Sequence, residues 1–155
     1  MEKKELELYI HIPFCVRKCN YCDFLSFPAD EDTQRQYVKA LCKEIFYYGA
    51  HCRDYVVSTV YIGGGTPSWL WESDMAEIMD AVHKNFALLP DAEVSVECNP
   101  GTVTAQKFAV YRQSGINRIS LGLQSAQNVE LKMLGRIHTW EQFLKTYELA
   151  RSGGF

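Results

Sequence analysis

Residues 9–24 read Y-I-H-I-P-F-C-V-R-K-C-N-Y-C-D-F and place Cys15, Cys19 and Cys22 at the spacing C-x3-C-x2-C. Just upstream, Leu6, Leu8, Ile10 and Ile12 alternate with Glu7, Tyr9 and His11, the period-two pattern of a strand. Pro13 closes that strand, because it has no amide to give to a sheet ladder. Three thiols therefore lie on one loop at a strand end, and so short a loop can turn all three sulfurs onto one object. A zinc site takes four ligands, and its cysteines normally come as two pairs. Three thiolates with no fourth nearby suit an iron–sulfur cube, one of whose irons stays open to a non-protein ligand. Phe14, Tyr21, Phe24, Leu25 and Phe27 would shield such a cluster, and exposure to water is one of the things that sets its potential.

Beyond the loop, strand and helix patterns alternate. Thr33 and Gln36 have the spacing of a capping box. Tyr37, Val38, Leu41, Cys42, Ile45 and Phe46 recur at helical spacing, with a stop near Gly49. Val56 to Ile62 reads as a second strand running into Gly63-Gly64-Gly65-Thr66-Pro67-Ser68. Three glycines there mean close backbone approach or angles barred to other residues, without the spacing of a dinucleotide fingerprint or a P-loop. Met75, Ile78, Met79, Val82 and Phe86 mark a second helix. Val94, Val96 and Cys98 mark a third strand, with Glu97 near its end in E-C-N-P. Thr104 caps a third helix that stops at Gly115. Ile116 to Leu121 is a fourth strand ending in G-L-Q-S, with Gln124 just past it. Arg136 is expected on the next short helix, in L-G-R-I-H-T. Thr139 and Gln142 form another capping box, before a helix whose apolar face is Phe143, Leu144 and Tyr147.

Strand, loop and helix thus repeat four times, which is the pattern of an α/β fold with parallel strands. In such folds the C-terminal strand ends carry the ligand site. The groups found at those ends are of the kind that binds ligands: a carboxylate, an amide that both donates and accepts, and a guanidinium fork. At 155 residues the chain is one domain or part of one. A net charge of −3 with no basic block argues against nucleic acid as a partner. No apolar run approaches a membrane span, and the N-terminus lacks the apolar core of a signal peptide, so the expectation is a cytoplasmic protein. Six cysteines in a reducing compartment point to metal rather than disulfides. Cys42, Cys52 and Cys98 read as small buried hydrophobes.

The cysteine triplet, with Tyr21 before its last cysteine, is the signature of the radical S-adenosylmethionine enzymes. The wider Y-x-H-I-P-F-C-x3-C-x-Y-C resembles their branch of oxygen-independent coproporphyrinogen III oxidases and haem-chaperone relatives. The resemblance extends through G-G-G-T-P, E-C-N-P, G-L-Q-S and Arg136. It implies a (βα)6 partial TIM-like barrel, of which residues 1–155 would supply the first four units, ending before the fifth strand. It also implies a [4Fe-4S] cluster on Cys15, Cys19 and Cys22, with S-adenosylmethionine held by Tyr9, Tyr21, Gly64, Gly65, Thr66, Glu97, Gln124 and Arg136. In that family the glycine backbone holds the amino group, the glutamine the ribose and the arginine the carboxylate. Haem or a porphyrinogen, and haem-acceptor proteins, are the further partners it suggests. The oxidases typically carry a fourth cysteine two positions after the third, where this chain has Phe24, and an extension before the first strand. Both departures, with C-D-F and L-G-R-I-H-T, favour the haem-chaperone group over the oxidase. A non-catalytic metal-binding module and a zinc protein are the readings from other classes. His11, His51, His83 and His138 are the possible haem ligands.

Overall fold

The computed structural model describes residues 4–155. Residues 1–3, where the N-terminal expectations begin, lie outside the described residues. Four strands form one parallel sheet in the order β1-β2-β3-β4. They are β1 (Lys4–Ile12), β2 (Tyr55–Gly64), β3 (Leu88–Cys98) and β4 (Arg118–Leu121). Each strand is joined to the next through helix: α1 (Glu31–His51), α2 (Glu72–Asn85) and α3 (Ala105–Gln113). After β4 come α4 (Asn128–Met133) and α5 (Trp140–Ser152). Sequential order with every strand parallel is the winding of a barrel; a doubly wound sheet would reverse its order midway.

Alternation along the strands sorts the side chains by face. Ile10 and Ile12, Val57, Val60 and Ile62, and Val94 and Val96 are buried in a core with Val38, Leu41 and Ile45 of α1, Ile78 and Val82 of α2, and Phe108 and Tyr111 of α3. The other face carries Glu7, Tyr9, Tyr61, Glu97 and Ser120, half-buried or exposed. The core is therefore one layer between sheet and helices, and the concave face is not part of it. β2 and β3 are longer than the periodicity indicates, since Leu88 already pairs with Val57 and Ile12 with Gly64.

Three local expectations shift. The cap of α1 is Asp30, whose carboxylate accepts from the amide of Thr33 at 2.8 Å, so Thr33 lies inside the helix. An aspartate at the cap satisfies an orphan amide and meets the positive end of the helix. Arg136 is not on a helix: α4 ends at Met133, Gly135 turns the chain at φ +76°, and Arg136 follows. In α5 the Thr139–Gln142 capping box is present, but the face turned inward carries Thr146, Ala150 and Leu149. Leu144 and Tyr147 face outward, and Trp140, Phe143 and Tyr147 stack along the surface at 5.4 and 6.2 Å. The end of α5 lies against α3, where Phe155 packs on Phe108 with ring centroids 5.5 Å apart.

Candidate functional site

The loops at the C-terminal ends of all four strands converge on one cleft of about 250 Å3. Ten of the eleven residues singled out from the sequence line it: Cys15, Cys19 and Cys22, Tyr21, Gly64, Gly65 and Thr66, Glu97, Gln124, and Arg136. Tyr9 does not. It is 61% exposed, its hydroxyl lies 3.0 Å from His11 Nδ1, and its ring stacks on Tyr61 at 6.3 Å. None of the four histidines lines the cleft. His138, the buried one, has Nε2 on the carbonyl of Leu123.

The cysteine loop is anchored at both ends. The Cys15 amide donates to Phe27 O, and the Phe27 amide donates to Pro13 O. Farther along, the Asn20 amide and side chain donate to Leu134 O and Met133 O, and Arg17 donates to Gly135 O at 2.6 Å. All three cysteines are free thiols, Cys15 buried and the other two half-buried. Among the described residues, no three histidine, cysteine or carboxylate side chains lie near enough to share one metal ion. Three thiols set around a single cleft instead fit separate irons of one cluster. The aromatic shield is open: only Phe14 is buried, while Tyr21, Phe24, Leu25 and Phe27 are 45–78% exposed. Cys98 also borders the cleft, and burial pushes its thiol pKa up to about 12, so it is protonated at neutral pH.

The triple glycine is a close-approach device. A Cβ on Gly64, whose φ is +116°, would sit 2.6 Å from the His11 ring, and one on Gly65 would sit 2.6 Å from Phe14 O. The space is taken by the end of β1, to which the loop is stitched. Gly65 N donates to Ile12 O at 2.8 Å and Thr66 N to Phe14 O at 2.7 Å. Gly64 N donates to Glu97 Oε2 at 3.0 Å. With those three amides engaged, the loop's backbone can offer a ligand only carbonyl oxygens, which suit a cationic ammonium.

Glu97 is held from both sides, since Tyr61 donates to its other oxygen at 2.7 Å. Gly63 makes room for that: a Cβ there would lie 2.8 Å from the Tyr61 ring. Burial, and then the Glu97 carboxylate, hold the Tyr61 hydroxyl above its ordinary pKa, so it remains a donor. Gln124 sits at φ +71°, the one non-glycine residue at positive φ among the described residues. Strain of that kind persists where the surroundings impose it, often at ligand sites. Arg136 spends Nη2 on Asn99 Oδ1 at 2.9 Å and Gly122 O at 3.0 Å. Its Nη1 reaches Tyr21 OH and Cys19 Sγ only at 3.4 and 3.8 Å. Its Nε is buried without a partner. A guanidinium beside the cysteines with unspent donors fits an anionic ligand group.

Sequence reasoning missed Tyr61, Asn99 and Lys107. Tyr61 could have been found, since it stands two residues before Gly63 on the inward alternation. Asn99 lies inside E-C-N-P, two residues after the glutamate, where nothing local marks its side chain as a bridge. Lys107, buried on the apolar face of α3, donates to Ser68 O, Leu70 O and Thr102 O, tying the loops after β2 and β3 together.

This arrangement matches a known family. The Radical SAM superfamily matches residues 9–155, and the chain belongs to it. Membership implies an iron–sulfur cluster and S-adenosylmethionine, for which the cysteine loop and the donors around the cleft are the fitting residues. Within the superfamily the chain is 43% identical over 150 residues to the heme chaperone HemW of Escherichia coli K12, covering 96% of this chain and 40% of that protein. It is 35% identical to the heme chaperone HemW of Bacillus subtilis over 95% of this chain and 39% of that one. The chain thus spans about 40% of the length of the curated relatives it matches. Among solved structures, coproporphyrinogen III oxidase (HemN) from Escherichia coli superposes with a TM-score of 0.91 at 30% identity, over 99% of this chain and 36% of that one. That likeness confirms the expected partial-barrel winding. Methylornithine synthase (PylB), at 15% identity and a TM-score of 0.57, shares the fold alone. No helix among the described residues is long and apolar enough to cross a membrane.

Proposed function

We propose that residues 1–155 form the cofactor-binding first four units of a radical S-adenosylmethionine barrel in a cytoplasmic haem-chaperone-like protein. The supporting observation is the convergence of ten residues, from motifs spread between Cys15 and Arg136, on one cleft. In this reading Cys15, Cys19 and Cys22 hold a [4Fe-4S] cluster. The loop Gly64–Thr66 receives the ligand's amino group, Glu97 and Gln124 its nucleoside part, and Arg136 its carboxylate. When bound, the cluster supplies the single electron that cleaves the sulfonium of S-adenosylmethionine. The protein's own part is to orient the ligand and oppose its charges with fixed groups. Haem enters as cargo, passed to an acceptor protein; the 43% identity to a heme chaperone supports this. Phe24, where the oxidases carry a fourth cysteine, points the same way.

The fold match to HemN favours a second reading, in which the full protein oxidatively decarboxylates coproporphyrinogen III. One experiment divides them. The protein is reconstituted anaerobically with iron and sulfide, then given S-adenosylmethionine with either haem or coproporphyrinogen III. Stable haem binding and transfer without porphyrinogen turnover is the expected result. Porphyrinogen decarboxylation would replace the chaperone reading with the oxidase. A protein that takes up zinc but no cluster would remove both.

A further inference from the structure

Asn99 joins two ends of the cleft that the chain keeps far apart in sequence. Its Oδ1 accepts from Arg136 Nη2 at 2.9 Å, and its Nδ2 donates to Thr66 Oγ1 at 2.9 Å. The amide cannot be turned the other way, because a guanidinium has donors only and must face the oxygen. Polarity then propagates. Thr66 Oγ1 accepts from Asn99, so its own proton is left for another acceptor. Asn99 itself is pinned, its amide donating to Ser68 Oγ at 3.1 Å and its carbonyl accepting from Thr102 Oγ1 at 2.7 Å. On the far side, both protons of Arg136 Nη2 are engaged, by Asn99 and Gly122 O, which leaves Nη1, held only by its long contacts to Tyr21 OH and Cys19 Sγ, and the unpartnered Nε.

Resting on the reading of the cleft as an S-adenosylmethionine site, we propose that Asn99 is a positioning residue that makes Thr66 and Arg136 one two-donor clamp for the ligand's carboxylate. A neutral amide is the side chain this role needs. It holds one edge of the guanidinium without cancelling its charge, and it turns the threonine proton outward. An aspartate of the same shape would do the reverse on both counts. It would pair with Arg136 in the ligand's place, and it would draw the Thr66 proton to itself.

The test is a double-mutant cycle on the cluster-bearing protein, with S-adenosylmethionine affinity read by equilibrium dialysis and iron content and melting temperature as controls. Asn99→Asp is expected to weaken binding about tenfold or more, the size of one lost charge-assisted hydrogen bond. Arg136→Gln weakens it as well. The double variant should lose less than the product of the two single losses, because Asn99 acts in part through the arginine, while the Thr66 arm remains disturbed. Should Asn99→Asp lose iron or melt early, Asn99→Ser, which removes the amide without adding charge, takes its place with a smaller loss in the same direction. Losses that multiply, or an Asn99 variant that binds like the parent, overturn the clamp while leaving the cleft assignment standing. A parent protein that carries the cluster yet binds no S-adenosylmethionine overturns the cleft assignment, and the clamp with it.

Discussion

The two faces of the sheet are built on opposite rules. The convex face, against the helices, is aliphatic: Ile12, Ile62 and Val96 are fully buried there. The concave face one residue along each strand carries Tyr9, Tyr61, Ser95, Glu97, Arg118 and Ser120, joined by Tyr61–Glu97 and Arg118–Ser95 hydrogen bonds. A closed TIM barrel fills its interior with layers of Val, Ile and Leu. Here the interior is polar, so it contributes little apolar burial and the helices must supply the stability. That division lets the concave face and the strand ends be shaped for ligands, because changes there leave the packed layer intact.

The sharpest way to break this division is at the cysteine loop. Cys19→Ala should abolish cluster uptake, read as loss of iron and of visible absorbance after reconstitution, while the melting temperature of the metal-free protein stays near the parent's. A large drop in that melting temperature would mean that the loop is part of the structural core. Next in size, Ile62→Ala on the convex face should cost about 2–5 kcal/mol in denaturant unfolding, the usual range for emptying a packed aliphatic site. Its inward neighbour gives the contrast: Tyr61→Phe should cost about 1.5 kcal/mol, the low end for one hydrogen bond to a carboxylate at a half-exposed site, and weaken ligand affinity by leaving Glu97 held by Gly64 N alone. Equal costs at 61 and 62 would end the distinction between the faces.

Smaller effects sharpen it. Burial, with Arg136 adding to it, holds the His138 imidazole below its ordinary pKa of 6.5. The unfolded chain therefore takes a proton at about 6.5 where the folded one resists. Stability should fall as pH drops from near 6.5 toward the lower folded value, and level off beneath it. His138→Gln should flatten the melting-temperature slope between about pH 7 and 5.5; an unchanged slope would assign it to other groups. Last, Tyr111 is fully buried with its hydroxyl unpartnered. Tyr111→Phe should be neutral or stabilise by up to about 1 kcal/mol, since it removes a polar group that nothing satisfies. Clear destabilisation on denaturant titration would show that the hydroxyl has a partner.

Much of this was legible in the chain. The period-two runs mark the strands, and the cysteine triplet, G-G-G-T-P, E-C-N-P and G-L-Q-S each fall at a strand's C-terminal end. Chemistry-bearing residues in such loops have nowhere to converge but one rim, which is why ten of eleven could be placed on the cleft. Tyr9 was the exception: it lies three residues short of the end of β1, whereas Gly64 ends β2 and Glu97 stands one residue from the end of β3. The caps show the same limit. The Thr139–Gln142 capping box is present, but the Thr33–Gln36 spacing does not cap α1: Asp30, three residues earlier, is the cap, and only the backbone shows that Thr33 is already helical.

The sequence by itself determined the order of units, the thiol loop and the alternation that separates core face from cleft face, because these follow from covalent spacing and the periods of strand and helix. Only the tertiary structure decided which face of α5 packs inward, where Arg136 turns, and that Asn99 would bridge Thr66 and Arg136. The two partners lie 33 and 37 residues from Asn99 along the chain. No local period records such a contact. It exists because three loops are closed onto one rim by the packing of the layer beneath them.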